Sequence, residues 1–100
     1  MSIVLVGGHD RMHDEYKGIC SKHGHSVKVY TQMPARFDKA IGNPDGIVLF
    51  TGTVSHKMIQ VATKEAKRKK IPILRCHNSS GTSLEGMLQQ FEKSLSIVYA

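Results

Sequence analysis

The sequence predicts an α/β domain of the flavodoxin-like, Rossmann-like kind: a four-stranded parallel sheet of order 2-1-3-4 with helices on both faces, forming three layers. Two observations lead there. Short β-branched runs alternate with segments of helical period along all 100 residues, without a linker, repeat or low-complexity tract. Because each strand is separated from the next by a helix, and strand-helix-strand crossovers are right-handed, a parallel sheet covered on both sides is the economical packing. Residues 1–100 are therefore expected to form one domain with a single modest core.

The first strand is Ser2 to Val6, ended by Gly7-Gly8. A helix follows from about Arg11 to His23, with Met12, Tyr16 and Ile19 on one face, Asp10 placed to cap it and Gly24 to stop it. Ser26 to Thr31 alternates Val27 and Val29 with polar neighbours, as a half-buried or edge strand does. Pro34 opens a short helix carrying Phe37, Ala40 and Ile41, which Gly42 closes. The Asn43-Pro44-Asp45-Gly46 turn leads into Ile47 to Phe50, four consecutive apolar residues that mark a central strand. From about Ser55 to Lys69 a third helix turns Met58, Val61, Ala62 and Ala66 inward and Lys57, Lys64, Lys67 and Arg68 outward. Pro72 introduces the fourth strand, Ile73 to Cys76. A last helix starts after Asn78-Ser-Ser-Gly81, with Leu84, Met87, Leu88, Phe91 and Leu95 at core spacing; Ser96 to Ala100 are left to fray, pack or add an edge strand.

Composition narrows the classes of function. The formal charge is +6 and the pI about 9.6, with Asp and Glu scattered through the chain, which points to anionic partners without requiring nucleic acid. Two cysteines, Cys20 and Cys76, lie in different elements without CxxC spacing, so neither a disulfide framework nor a zinc knuckle is expected. The amino-terminal Ser2-Ile-Val-Leu-Val6 run lacks the basic flank and cleavage site of a signal peptide, and no apolar stretch approaches the roughly 18 residues of a membrane span. A cytoplasmic protein with no membrane partner is expected.

In this topology ligands bind outside the carboxyl ends of the strands, at the crevice where neighbouring connections diverge. The loops on that edge hold nearly all the unusual residues. Gly8, His9 and Asp10 follow the first strand, Thr51, Thr53, Ser55 and His56 the third, and His77, Asn78, Ser79, Ser80 and Gly81 the fourth. His9 and His56 flank the crevice between the first and third loops, and His77 is one strand further along. A loop histidine is ordinarily solvated or capping, but three on one edge make a candidate cofactor or metal site of His9, His56 and His77, with Gly8 and Asp10 beside them. His13, His23 and His25 are assigned no such role, and Cys76 is read as core filling.

Known fingerprints fail on their key residues. There is no GxxxxGK[ST], and Gly7-Gly8-His9 is not GxGxxG. Receiver-type phosphoacceptor chemistry needs acidic residues where Gly-Gly and Thr-Gly stand, and a cysteine phosphocarrier needs Cys at His9. No catalytic residue is assigned, because no nucleophile is visibly paired with a base and an orienting acid. Helix amino termini carry roughly half a positive charge each, and three should aim at this edge. A bare divalent cation is disfavoured there, with Asp10 the only nearby carboxylate. An anionic ligand fits better: phosphate, nucleotide, or iron carried by a propionate-bearing porphyrin, for which Met12, Met33, Phe50, Val54 and Met58 supply apolar walls.

Gly7-Gly8-His9 after the first strand, the Thr51 to Ser55-His56 segment and Ile71-Pro72 before a Ser-rich turn together resemble the small bacterial family designated domain of unknown function 2325, over essentially the whole chain. The resemblance implies a compact cytosolic bacterial α/β domain and brings no activity with it. In longer members the domain lies at the carboxyl end, which for a standalone chain implies a partner supplied in trans. A haem-binding role is an implication of the family, not of composition.

Three readings follow. The leading one is a small non-enzymatic ligand-binding or sensor module with haem iron at the His-lined edge. The second is a phosphate or nucleotide site in which His9 and the anion-binding set Thr51, Thr53, Ser55, Asn78, Ser79, Ser80 and Gly81 grip the ligand through hydroxyls and backbone N–H groups. The third is a nucleic-acid or protein adaptor using the basic Lys64 to Lys70 face. An edge strand and several methionines also make a homodimer an expectation.

Overall fold

The computed structural model describes residues 1–99, with side chains through residue 93. Its four strands are β1 (Ser2–Val6), β2 (Ser26–Tyr30), β3 (Gly46–Phe50) and β4 (Ile73–Cys76). They pair in parallel in the order β2-β1-β3-β4. Four α-helices connect or follow them: α1 (His13–Lys22), α2 (Phe37–Ile41), α3 (His56–Lys69) and α4 (Gly81–Tyr99).

Strand alternation splits the core into two layers, because successive side chains of a strand face opposite ways. Ile3, Leu5, Val48 and Phe50 pack with Tyr16 and Cys20 of α1 and Leu84, Leu88 and Phe91 of α4. Val4, Val6, Ile47 and Leu49 pack with Phe37 and Ile41 of α2 and Met58, Ala62 and Ala66 of α3. Every residue of β3 is buried, whereas edge strand β2 is at best half-buried, as their sequences indicate. The register aligns Val6 with both Tyr30 and Leu49, and Phe50 with Cys76, so the strands end together at one edge.

Several boundaries differ from expectation. α1 begins at His13, preceded by a 3₁₀ turn at Asp10–Met12. Asp10 does not cap it, because its carboxylate is taken by Thr31 and Gln32. α2 begins at Phe37 instead of near Pro34, because Arg36 adopts the left-handed conformation (φ 53°) and breaks helical continuity. Val61 is only half-buried, and Glu65 takes the inward place beside Ala62 and Ala66. α4 continues through Ser96 to Tyr99; Leu95 lies outside the residues whose side chains are described, and Ala100 outside the described residues.

Gly18 lies inside α1, and a Cβ added there meets nothing within 4 Å. Gly18→Ala should therefore stabilise the protein by about 0.5–1 kcal/mol through reduced backbone entropy in the unfolded chain. Denaturant melts should show a higher midpoint at unchanged slope; a lower midpoint would mean the site is not open.

Candidate functional site

The four strand ends deliver four loops to one edge, where they are tied into a continuous rim. Gly7 donates its N–H to Tyr30 O (2.9 Å), and Asp10 accepts from Thr31 Oγ1 and from Gln32 Nε2, joining the first loop to the second. The Gly8 N–H donates to Thr53 Oγ1 (2.9 Å), so the crevice between the first and third loops is bridged at its base. Gly52 lies against His77: a Cβ there would clash with His77 O and stand 3.0 Å from its ring carbon Cε1. Beneath the rim Tyr16 is fully buried, donates to Ser79 O (2.6 Å), and packs on Phe50 at a ring separation of 5.4 Å.

This rim consumes much of the hydroxyl set expected to hold an anion. Ser55 caps α3, accepting from the Met58 N–H (3.2 Å). Ser80 Oγ accepts from the Ser83 N–H (3.2 Å) and so caps α4, while Asn78 Oδ1 accepts from the Ser80 N–H (3.0 Å). Thr53 holds the first loop, and Ser79 is buried with its carbonyl on Tyr16. Thr51 opens the 3₁₀ turn Thr51–Thr53, and Gly81 sits against Ile19 and Glu15 of α1. These polar groups close loops and helix ends, so the Ser-rich loop is foremost a structural element.

His9, His56 and His77 are all exposed on this edge. His9 and His77 lie on the loops before α1 and α4, on one face of the sheet, and His56 is the first residue of α3 on the other. Among the described residues no group of three or more His, Cys, Asp and Glu side chains is placed to hold a metal ion. The three histidines thus share an edge without forming a metal triad. Asp10, the one carboxylate among the site candidates, is held below the usual carboxylate range by its bonds from Thr31 and Gln32.

The two cysteines differ in their surroundings. Cys20 is buried, and burial pushes its thiol up to about 11. Cys76 packs against the core and donates its S–H to Asn78 O (3.1 Å). Among the described residues, two concavities flank α3. One of about 320 Å³ lies towards α2, near Met33, Phe37 and Val61; the other, of about 490 Å³, lies towards β4.

Two clusters escaped the sequence reading. At the opposite edge, His25 Nε2 (2.9 Å) and His23 Nδ1 (3.3 Å) both donate to Glu92 Oε1, with Glu85 at 3.9 Å from His23 Nε2. The His25 side chain is only 7 % exposed, and its Nδ1 accepts from the Met1 amine (3.1 Å). The available signal was the His23-Gly24-His25 spacing at the end of α1, facing Glu85 and Glu92 two turns apart on α4. The second cluster is Glu65, almost wholly buried and paired with Arg68 (2.8 Å) and Lys69 (3.5 Å), a pattern visible as i,i+3 and i,i+4 charges.

The hydrogen bond from His25, assisted by that from His23, holds the Glu92 carboxyl below its usual range. A carboxylate depressed on folding contributes stability above its unfolded value, and that contribution is lost as pH falls through the lower folded value. Glu92→Gln should therefore lower Tm at neutral pH and flatten its decline between neutrality and pH values below the ordinary carboxylate range. Parallel Tm–pH curves for variant and parent would remove Glu92 as a contributor to the acid limb.

A bacterial family described as an uncharacterized protein conserved in bacteria, DUF2325, matches residues 2–91. The chain belongs to this family. Its match spans all four strands of the DUF2325 domain and α4 as far as Phe91, and hence every loop of the rim. No curated protein and no solved structure matches the chain. Among the described residues of this DUF2325 domain, no helix is long and apolar enough to cross a membrane.

Proposed function

We propose that this DUF2325 domain is a non-enzymatic binding module that takes an anionic ligand at the carboxyl edge of its sheet, and that the ligand is an iron porphyrin. The observation that carries the reading is the exposure of His9, His56 and His77 on the edge where α1, α3 and α4 begin. Helix amino ends favour negative charge, and Asp10, the only carboxylate in the candidate set, is engaged by Thr31 and Gln32. A porphyrin answers both features: its propionates suit the helix ends and its iron takes an imidazole nitrogen.

Of the five residues expected to wall such a group, Phe50 and Met58 are buried in the two core layers and do not line the edge; Met12, Met33 and Val54 are left to support the reading. Met33 is exposed on the loop after β2, and Met12 and Val54 are half-buried beside the first and third loops, giving apolar surface on the same edge. His56, the first residue of α3, would supply the imidazole nitrogen to the iron, with His9 across the crevice and His77 as helper. The alternative grip on phosphate is less well supported, since Ser80 and Asn78 already serve loop and helix ends. Binding in place of catalysis is favoured by the same engagement of hydroxyls and by the protonated, buried Cys20 thiol.

Titrating the purified protein with ferric porphyrin should produce a saturable Soret band that His56→Ala abolishes or shifts. A spectrum unchanged by that substitution removes His56 as ligand. If no band forms while inorganic phosphate raises Tm, and Ser80→Ala abolishes that rise, the anion reading replaces this one.

A further inference from the structure

The basic flank of α3 plays no part in the strand-end reading, and it adjoins a free sheet edge. β4 is hydrogen-bonded to β3 alone, so among the described residues its outer edge has no strand partner. Between that strand and α3 lies the concavity of about 490 Å³, lined by Ile59, Gln60, Thr63, Lys64, Lys67 and Arg75. Arg75 is in register with Leu49. Leu49 is buried beneath α3, whereas Arg75, one strand further out, is exposed. The helix layer therefore covers β3 and reaches β4 at Ile73, leaving the Arg75 end of that strand open.

The chemistry of this concavity is one-sided. Three of its six lining residues are cationic and none is acidic. Lys64, Lys67 and Arg75 make no ion pair among the described residues, whereas Arg68 and Lys69 on the same helix are compensated by Glu65. Ile59 and the aliphatic stems of the long cationic side chains supply its apolar surface, and Thr63 Oγ1 is buried without a hydrogen-bond partner. A free strand edge offers N–H and C=O groups in alternation to an extended chain, and uncompensated cations around an apolar floor select carboxylates with an apolar neighbour.

We propose that this flank is a docking surface for an extended acidic segment of a partner protein. The segment adds to β4 as a further strand, seats an apolar side chain against Ile59 and Thr63, and sets its carboxylates against Lys64, Lys67 and Arg75. Single-stranded nucleic acid fits less well, because no aromatic side chain lines the concavity for base stacking and phosphates gain nothing from a strand edge. A second copy of the chain would bring the same cations and another +6 of net charge to the contact.

The probe is a fluorescein-labelled extended peptide of alternating Glu and Val, titrated with the full chain and followed by anisotropy and by backbone amide NMR. Saturable binding is expected, weakening with salt, with amide shifts concentrated at Ile73 to Cys76. The Lys67→Glu, Arg75→Glu double variant should lose at least about tenfold in affinity with an unchanged melting profile, and the corresponding Gln variant should lose less. His56→Ala should leave peptide binding intact, which separates this surface from the porphyrin site. Equal affinity of parent and Glu variant, shifts away from β4, or a preference for an oligothymidylate probe or for self-association over the peptide would each overturn the proposal.

Discussion

Tyr16→Ala is expected to lower stability by about 4 kcal/mol, in the range for deleting a large aromatic from a core. Tyr16 is fully buried, touches Phe50, and ties α1 to the loop before α4 through Ser79 O. Removing it opens a cavity and leaves a buried carbonyl without its donor, two costs that add. For a domain of this length each kcal/mol corresponds to roughly 4–8 °C in Tm, so a fall on the order of 20 °C should appear in thermal melts. Tyr16→Phe keeps the packing and loses only the hydroxyl bond, so its cost should be about 1–2 kcal/mol. Equal losses for Phe and Ala would mean that the hydrogen bond, not the ring, carries the effect.

Gly8→Ala should cost about 3 kcal/mol, from two sources that can be separated. The residue has φ +90°, which strains any L side chain by roughly 1–2 kcal/mol. The added Cβ would also stand 2.7 Å from Tyr16 Cε2 and 2.8 Å from its hydroxyl, and overpacking of this kind costs about 1–3 kcal/mol. The two positions must therefore be coupled. In a Tyr16→Leu background, where the ring is gone, Gly8→Ala should cost only the backbone part. A cost unchanged by the background would show that Tyr16 is not what excludes the methyl group. The Gly8 N–H also holds Thr53, so the variant should loosen the third loop and, if the proposed porphyrin site is correct, weaken the porphyrin titration beyond its effect on Tm.

The pairing of Gly8 with Tyr16 shows how much of this site the sequence could disclose. Gly7-Gly8 after a strand announced a tight turn, and Tyr16 stood on the apolar face of the first helix. That the second glycine exists to make room for that tyrosine depends on how α1 lies against the sheet. Likewise Ser55, Ser80 and Asn78 read equally well as anion ligands or helix caps, because a hydroxyl before a helix has the same spacing in both roles. Only the observed bonds to Met58 N, Ser83 N and Ser80 N assign them as caps and loop closures. The His23–His25–Glu92 cluster lay further from view, since Glu92 is about 70 residues from the two histidines and meets them only when the end of α1 is packed against α4.

The sequence by itself determined the layered α/β architecture and the strand order 2-1-3-4, and it gathered His9, His56 and His77 on one edge. Those properties follow from hydrophobic periodicity and from crossover handedness, which are local or nearly so. Tertiary structure alone decided that the three histidines do not form a metal triad, that the hydroxyl-rich loops are bound up in the rim, and that an uncompensated cationic groove lies beside β4. The physical reason is that charge compensation and hydrogen-bond satisfaction depend on which distant side chains come within about 3 Å of one another. Residue spacing along the chain does not encode that distance across the sheet.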